Sequence, residues 1–101
     1  MDEQPIYEIH VYEYPWTKTP QGFCEYGIDE CVGYYHDEQR AIDAVESNWC
    51  DIQDHWARAA LIVKKNQGIY PIIPKCDCIY YVWNKEQEKF ERAEFPVQFW
   101  N

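Results

Sequence analysis

The chain has 101 residues, 18 acidic and 9 basic side chains, a net charge of −9 and an aromatic share of 18%. That length suits one domain, 1–101, burying roughly two thirds of its unfolded surface. So acidic a balance argues against direct binding to nucleic acid, which needs Lys and Arg to neutralise phosphates.

No run of 18 apolar residues crosses a membrane, and the acidic start MDEQPIYEIH lacks the basic-then-apolar order of a leader. A cytoplasmic location and no membrane contact are therefore expected. Five cysteines, Cys24, Cys31, Cys50, Cys76 and Cys78, are an odd number, which fits free thiols packing as small apolar residues better than a disulfide framework. Five Trp and nine Tyr exceed what one small core can hide, so some rings are expected at a surface or interface.

PIYEIHVYEY, residues 5–14, alternates: Tyr7, Ile9 and Val11 share one face, and Glu8, His10 and Tyr12 the other, as in a half-buried strand. PWTKTPQGFCEY holds two Pro and a Gly and predicts a loop or a wide hairpin connection. A second strand is expected from Ile28 to Tyr35, with Gly33 marking a bulge. Asp37 then caps a helix with Glu38 in its first turn. Ala41, Ile42, Val45 and Trp49 form its apolar face, and Asn48 suits a left-handed stop. Asp51 and Asp54 predict one further short turn through His55 and Trp56.

ARAALIVKK, residues 57–65, predicts a central strand, and NQGIYPIIP a loop. CDCIYYVWN and FERAEFPV predict a hairpin about the polar turn NKEQEK, with Phe99 and Trp100 folding back onto the core. The order β-β-α-β-β-β gives an α+β fold: a mostly antiparallel sheet with one main helix on a face.

Cys76 and Cys78 share a face of their strand, about 7 Å apart, and both could reach one zinc ion. A structural zinc site wants C-x₂₋₄-C with a second ligand pair, and Cys24 and Cys31 are too far apart in sequence for a knuckle. The expectation is a strand carrying thiols, with no metal and no cofactor. The chain carries no G-x-S-x-G, no phosphate-cradling Gly-rich loop and no H-E-x-x-H. His10, His36 and His55 lie near Cys or Asp in sequence, which is not a triad. No catalytic residues, and no enzyme, are expected.

Residues 32–72 are more specific than their composition. Val32, Gly33, Tyr34, Tyr35, Ala41, Ala44, Val45, Asn48, Asp51, Ile52, Gly68, Tyr70 and Pro71 follow the pattern VGYF, acidic cap, A-I-x-A-V-x-x-N, x-x-D-I, then an apolar strand and G-[IL]-Y-P. The block resembles a group of small uncharacterised proteins encoded by gut and other low-GC bacteria, their phages and mobile elements. Lys64 and Lys65 stand where that group often has an acid. The resemblance implies a shared fold, and the group has no established activity to carry over; small size, excess aromatics and the lack of a catalytic motif point to an anti-defence role of the anti-CRISPR kind.

Charge sharpens that expectation. Residues 1–54 carry −11, with only Lys18 and Arg40 as bases, whereas residues 55–101 carry +2. Such a half suits a partner protein with a basic nucleic-acid-binding surface, and simple solubility is the plain alternative. The expected partner contacts are Glu25, Asp29, Glu30, Asp37, Glu38, Asp43 and Glu46, with Tyr34, Tyr35 and Trp49 as aromatic anchors. A nucleotide-sequestering protein, relying on Arg58, Lys64, Lys65 and Lys75 for phosphate, and a homodimer pairing edge strands in 76–95 are the competing readings.

Overall fold

The alternation of IYEIHVY forms β1, Ile6–Tyr12, the strand about which the sheet is arranged. In the computed structural model, which describes residues 4–18, 20, 24–66, 68 and 78–95, β1 lies between two partners. On one side is the edge strand β4, Asp29–Tyr35; on the other is β5, Ala59–Lys65. Beyond β5 come β6, Cys78–Asn84, and β7, Lys89–Ala93. The order is β4-β1-β5-β6-β7, and each neighbouring pair is antiparallel. The class is α+β, as expected.

The expected order lacked two elements. Within residues 15–26, β2, Thr17–Lys18, pairs with β3, Cys24–Glu25, as a small second sheet. Aromatic packing draws these arms together. Trp16 stacks on Tyr26 at 4.5 Å between centroids, and both meet Tyr12 edge-on. Gly27, at φ +70°, turns the chain back toward β4 where a Cβ would run into Glu13 and Tyr14. The bulge expected at Gly33 is present beside it. Ile9 faces Gly33 and His10 faces Cys31, so Val32 is the extra residue.

Helix α1, Glu38–Glu46, connects β4 to β5 across the sheet. Asp37 caps it as expected, accepting from the Gln39 N–H at 2.9 Å. Ala41, Ala44 and Val45 are buried against Ile9, Val11, Ala60, Ile62, Tyr81 and Phe90. Trp49 does not extend this face: the helix stops at Glu46, and Trp49 is 62% exposed. Asn48 takes the left-handed conformation, φ 51°, and turns the chain away before Trp49 can reach the sheet.

Residues 48–56 form the expected further turn, with the Asp54 N–H donating to the Asp51 carbonyl at 3.0 Å and the Trp56 N–H to the Gln53 carbonyl at 3.1 Å, and side-chain amides reinforce it. A 3₁₀ turn, Trp49–Asp51, opens them. The Asn48 side-chain Oδ1 accepts from the Gln53 N–H at 3.0 Å, and the Gln53 side-chain amide donates to the Ala57 backbone carbonyl at 2.9 Å. Asn48, Cys50, Asp51, Asp54 and His55 all have positive φ, an arrangement such residues keep only when their surroundings hold it.

The opposite face carries a second core of Tyr12, Trp16, Ala59, Leu61, Val63 and Tyr80. This is why AALIVKK has no polar alternation: β5 is covered on both faces. Cys31 and Cys50 are exposed, contrary to the expected apolar packing, because one lies on the edge strand and the other in the loop after α1. Cys78 packs against the second core. Cys76, the 69–74 loop and the Phe99–Trp100 tail fall outside the described residues.

One polar clasp ties α1 to the far strands. The buried Tyr81 donates its phenolic hydrogen to Glu46 at 2.9 Å, and Arg92 stands beside both. Burial and the Glu46 charge push the Tyr81 phenol from 10.0 up to about 12 against the opposing Arg92. A raised folded value means that Tyr81 contributes fully below pH 10 and loses that contribution as pH rises from 10 to 12. The stability gap between wild type and Tyr81→Phe should therefore shrink over that range, as read by urea unfolding at successive pH values.

Candidate functional site

Two surfaces concentrate the chemistry, and β4 belongs to both. The first is the acidic edge. Glu25, Asp29, Glu30, Asp37, Glu38, Asp43 and Glu46 are all exposed, and Arg40 is the only Lys or Arg between residues 24 and 54. Ile28 and Tyr34 are each 59% exposed, beside the half-buried Tyr35. A shallow hollow joins Tyr35 to Trp49 along α1 through Arg40, Asp43 and Ser47. As an edge strand, β4 leaves backbone groups open on its outer side, and its bulge and acids guard it against unselective pairing.

The expected contact residues do not form one uniform patch. Glu30, Glu38, Tyr34 and Trp49 are displayed outward, whereas Tyr35 packs on the helix-side core. Asp37 serves as the helix cap, Asp43 accepts from the Gln39 amide at 2.9 Å, and Glu46 belongs to the Tyr81 clasp. Glu25 lies apart on β3, and Asp29 is engaged by His10.

The second surface lies on the sheet face opposite α1, where β1 and β4 bring Glu8, His10, Asp29 and Cys31 together. Glu8 and His10 are two apart on β1, so they share a face. The register sets Cys31 directly across from His10. His10 Nε2 lies 3.1 Å from Glu8 Oε1, and Nδ1 lies 3.2 Å from Asp29 Oδ1. Lys65, from β5, approaches Glu8 Oε1 at 2.9 Å. Burial alone would raise the Glu8 carboxyl; the hydrogen bonds from Lys65 and His10 outweigh it and hold the group below its ordinary 4.5.

Cys31 directs its thiol toward the Gly33 carbonyl at 3.7 Å, and burial pushes that thiol above its ordinary value. Glu8, His10 and Cys31 each offer a metal-ligating atom, and these atoms lie within 4.8 Å of one another. Next to them, burial and the Asp29 charge drive the Tyr12 phenol well up. The face thus passes from an ionic cluster at His10 to aromatic packing at Tyr12, two residues along β1.

A third feature is a groove of about 710 Å³ at the end of the sheet. Glu13 and Tyr14 follow β1, Arg58 precedes β5, Trp83 and Lys85 close β6, and the post-helix loop adds Gln53, His55 and Trp56. Arg58 is anchored by its backbone, donating to the Tyr12 carbonyl at 2.8 Å and accepting from Trp83 at 2.9 Å. Aromatic and cationic groups therefore line one concavity.

Among the described residues no helix is long and apolar enough to cross a membrane. Comparison with protein-family models, curated proteins and solved structures finds no match. The Glu8–His10–Asp29–Cys31 cluster was not foreseen in the sequence. Alternation placed Glu8 and His10 on one face, but pairing Cys31 with His10 depends on the Val32 bulge.

The Glu8–Lys65 pair is a partly buried interaction across β1 and β5, with side chains 22% and 34% exposed. Lys89 and Glu91 make a looser pair at 4.0 Å, with side chains 51% and 48% exposed. Double-mutant cycles should give a coupling of about 1 kcal/mol for Glu8–Lys65 and about 0.3 kcal/mol or less for Lys89–Glu91. Equal couplings would show that partial burial does not strengthen the first pair.

Proposed function

We propose that this chain is a small acidic protein-binding module that occupies the basic, nucleic-acid-binding surface of a larger enzyme. A phage or mobile element would deploy it in the host cytoplasm against a nucleic-acid-targeting defence enzyme. The observation that carries the reading is the edge formed by β4 and α1. It combines exposed acids with the outward-facing Ile28, Tyr34 and Trp49, and Arg40 is its single Lys or Arg. Acids steer a basic partner and exposed aromatics supply contact area at low entropic cost. The edge backbone of β4 offers hydrogen bonds to an incoming strand.

The test uses acids that make no side-chain hydrogen bond to the helix cap, the Tyr81 clasp or the His10 cluster, Glu38 adding only a first-turn charge to α1. Glu30, Glu38 and Glu25 are exposed, and the helix cap, the Tyr81–Glu46 bond and the His10 cluster use other side chains. The triple variant Glu25→Lys, Glu30→Lys, Glu38→Lys should keep the wild-type circular dichroism. It should also lose capture of a basic nucleic-acid-processing enzyme from nuclease-treated bacterial lysate, and lose inhibition of that enzyme. Wild-type capture should weaken from low to high salt. Full inhibition by the folded triple variant would falsify the reading.

A second reading has its own observation. The groove of Trp56, Trp83, Tyr14, Arg58 and Lys85 pairs stacking faces with cations, as a sequestered nucleotide requires. Of the bases expected for this role, Arg58 lines the groove, Lys64 and Lys65 lie on β5 away from it, and Lys75 falls outside the described residues. A nucleoside monophosphate at a hundred times its Kd should stabilise the chain by about 2.7 kcal/mol, lost in Arg58→Ala. A flat thermal-shift response across nucleotides at millimolar concentration removes this reading.

A further inference from the structure

We infer that Glu8, His10 and Cys31 form a site for a zinc-class divalent transition metal, with Asp29 orienting the imidazole from its other nitrogen. The inference is independent of the partner reading. It starts from β1–β4 register. His10 and Cys31 are direct cross-strand partners, and Glu8 follows His10 on the same face of β1. A carboxylate, an imidazole and a thiol thereby converge, with ligating atoms within 4.8 Å of one another.

The spacing suits bridging by an ion. Metal–ligand bonds of 2.0–2.3 Å at tetrahedral angles put neighbouring ligand atoms about 3.3–3.6 Å apart. His10 Nε2 and Glu8 Oε1 are already 3.1 Å apart, so a metal replaces the proton between them with little strand movement, that proton passing to solvent or to Nδ1, where the ring's remaining hydrogen faces Asp29. As the metal–sulfur bond forms, the Cys31 thiol proton passes to solvent. The Nε2 lone pair and the Glu8 carboxylate complete three protein ligands.

Asp29 supports the ring as outer-shell carboxylates do for metal-bound histidines, with Oδ1 3.2 Å from Nδ1. Mixed sulfur, nitrogen and oxygen donors select zinc or its cobalt substitute over magnesium or calcium, which take oxygen ligands. Three protein donors leave one position for water or an incoming group. Lys65, 2.9 Å from Glu8 Oε1, fixes the carboxylate and shares it with the metal. That sharing sets the affinity below that of a closed structural site.

The test uses the full, reduced, metal-stripped chain. Calorimetry should give one Zn²⁺ per chain. Co²⁺ should produce a thiolate-to-cobalt charge-transfer band that Zn²⁺ abolishes. Site-resolved alkylation with iodoacetamide should slow several-fold at Cys31 on adding Zn²⁺ and stay unchanged at the exposed Cys50. His10→Gln and Cys31→Ser should weaken binding by about 100-fold or more, and Asp29→Asn by roughly 10–100-fold. Protection falling on Cys76 and Cys78 instead of Cys31, or no thiolate band with Co²⁺, overturns the assignment. The alkylation comparison uses wild type alone, so it decides the matter even where a variant does not fold.

Discussion

The register of β1 between β4 and β5 is the constraint on which the rest of the molecule depends. Every second residue of this strand faces α1, and the others face the opposite surface. A slip of one position would place Glu8 and His10 under the helix and expel Ile9 and Val11. The cost of burying two ionisable groups in an apolar layer is large, so only one register is compatible with a folded chain. The same register delivers His10 to Cys31 and Glu8 to Lys65. Folding the core and assembling the ionic cluster are one event.

The two faces of the sheet solve different problems. On the helix side, small and branched residues fill the space under α1. On the other side no helix is present among the described residues, and the short β2–β3 sheet brings Trp16 and Tyr26 over Tyr12. Phe95 adds to this cover, packing on Trp16 and Tyr80. Much of the unusual aromatic content is thereby spent on a second core. Tyr14, Tyr34 and Trp49 remain exposed, and two of these three lie on or beside the acidic edge.

Most of the architecture was legible in the sequence because it rests on local patterns. Alternation marked β1, the Asp37 cap and Ala spacing marked α1, and the apolar run marked β5. The left-handed Asn48 was legible as well, since short amides tolerate that conformation. What escaped was non-local. Trp49 fits the helical period, yet the helix ends before it. A wide hairpin within 15–26 is one of two readings of the sequence, but the packing of Trp16 and Tyr26 on Tyr12 arises from rings that meet only in three dimensions. The metal-ligating cluster depends on a bulge of one residue. Charge counting identified the acidic half but could not separate Asp37, Asp43 and Glu46, which have structural partners, from Glu30 and Glu38, displayed outward.

The alanines beneath α1 carry a consequence for how this sequence can vary. Ala41 and Ala44 meet Ala57 and Ala60 in the same buried cluster, so the height of the helix above the sheet is set by methyl groups. Volume is constrained most at the fully buried Ala41, where overpacking that lifts the helix costs about 1–3 kcal/mol. Lifting also draws Glu46 away from Tyr81, and a buried phenol without its acceptor adds a second penalty. The outer face of α1 is under no such limit of volume. The inner seam works as a spacer gauge, holding constant the distance across which the helix and the last two strands are fastened.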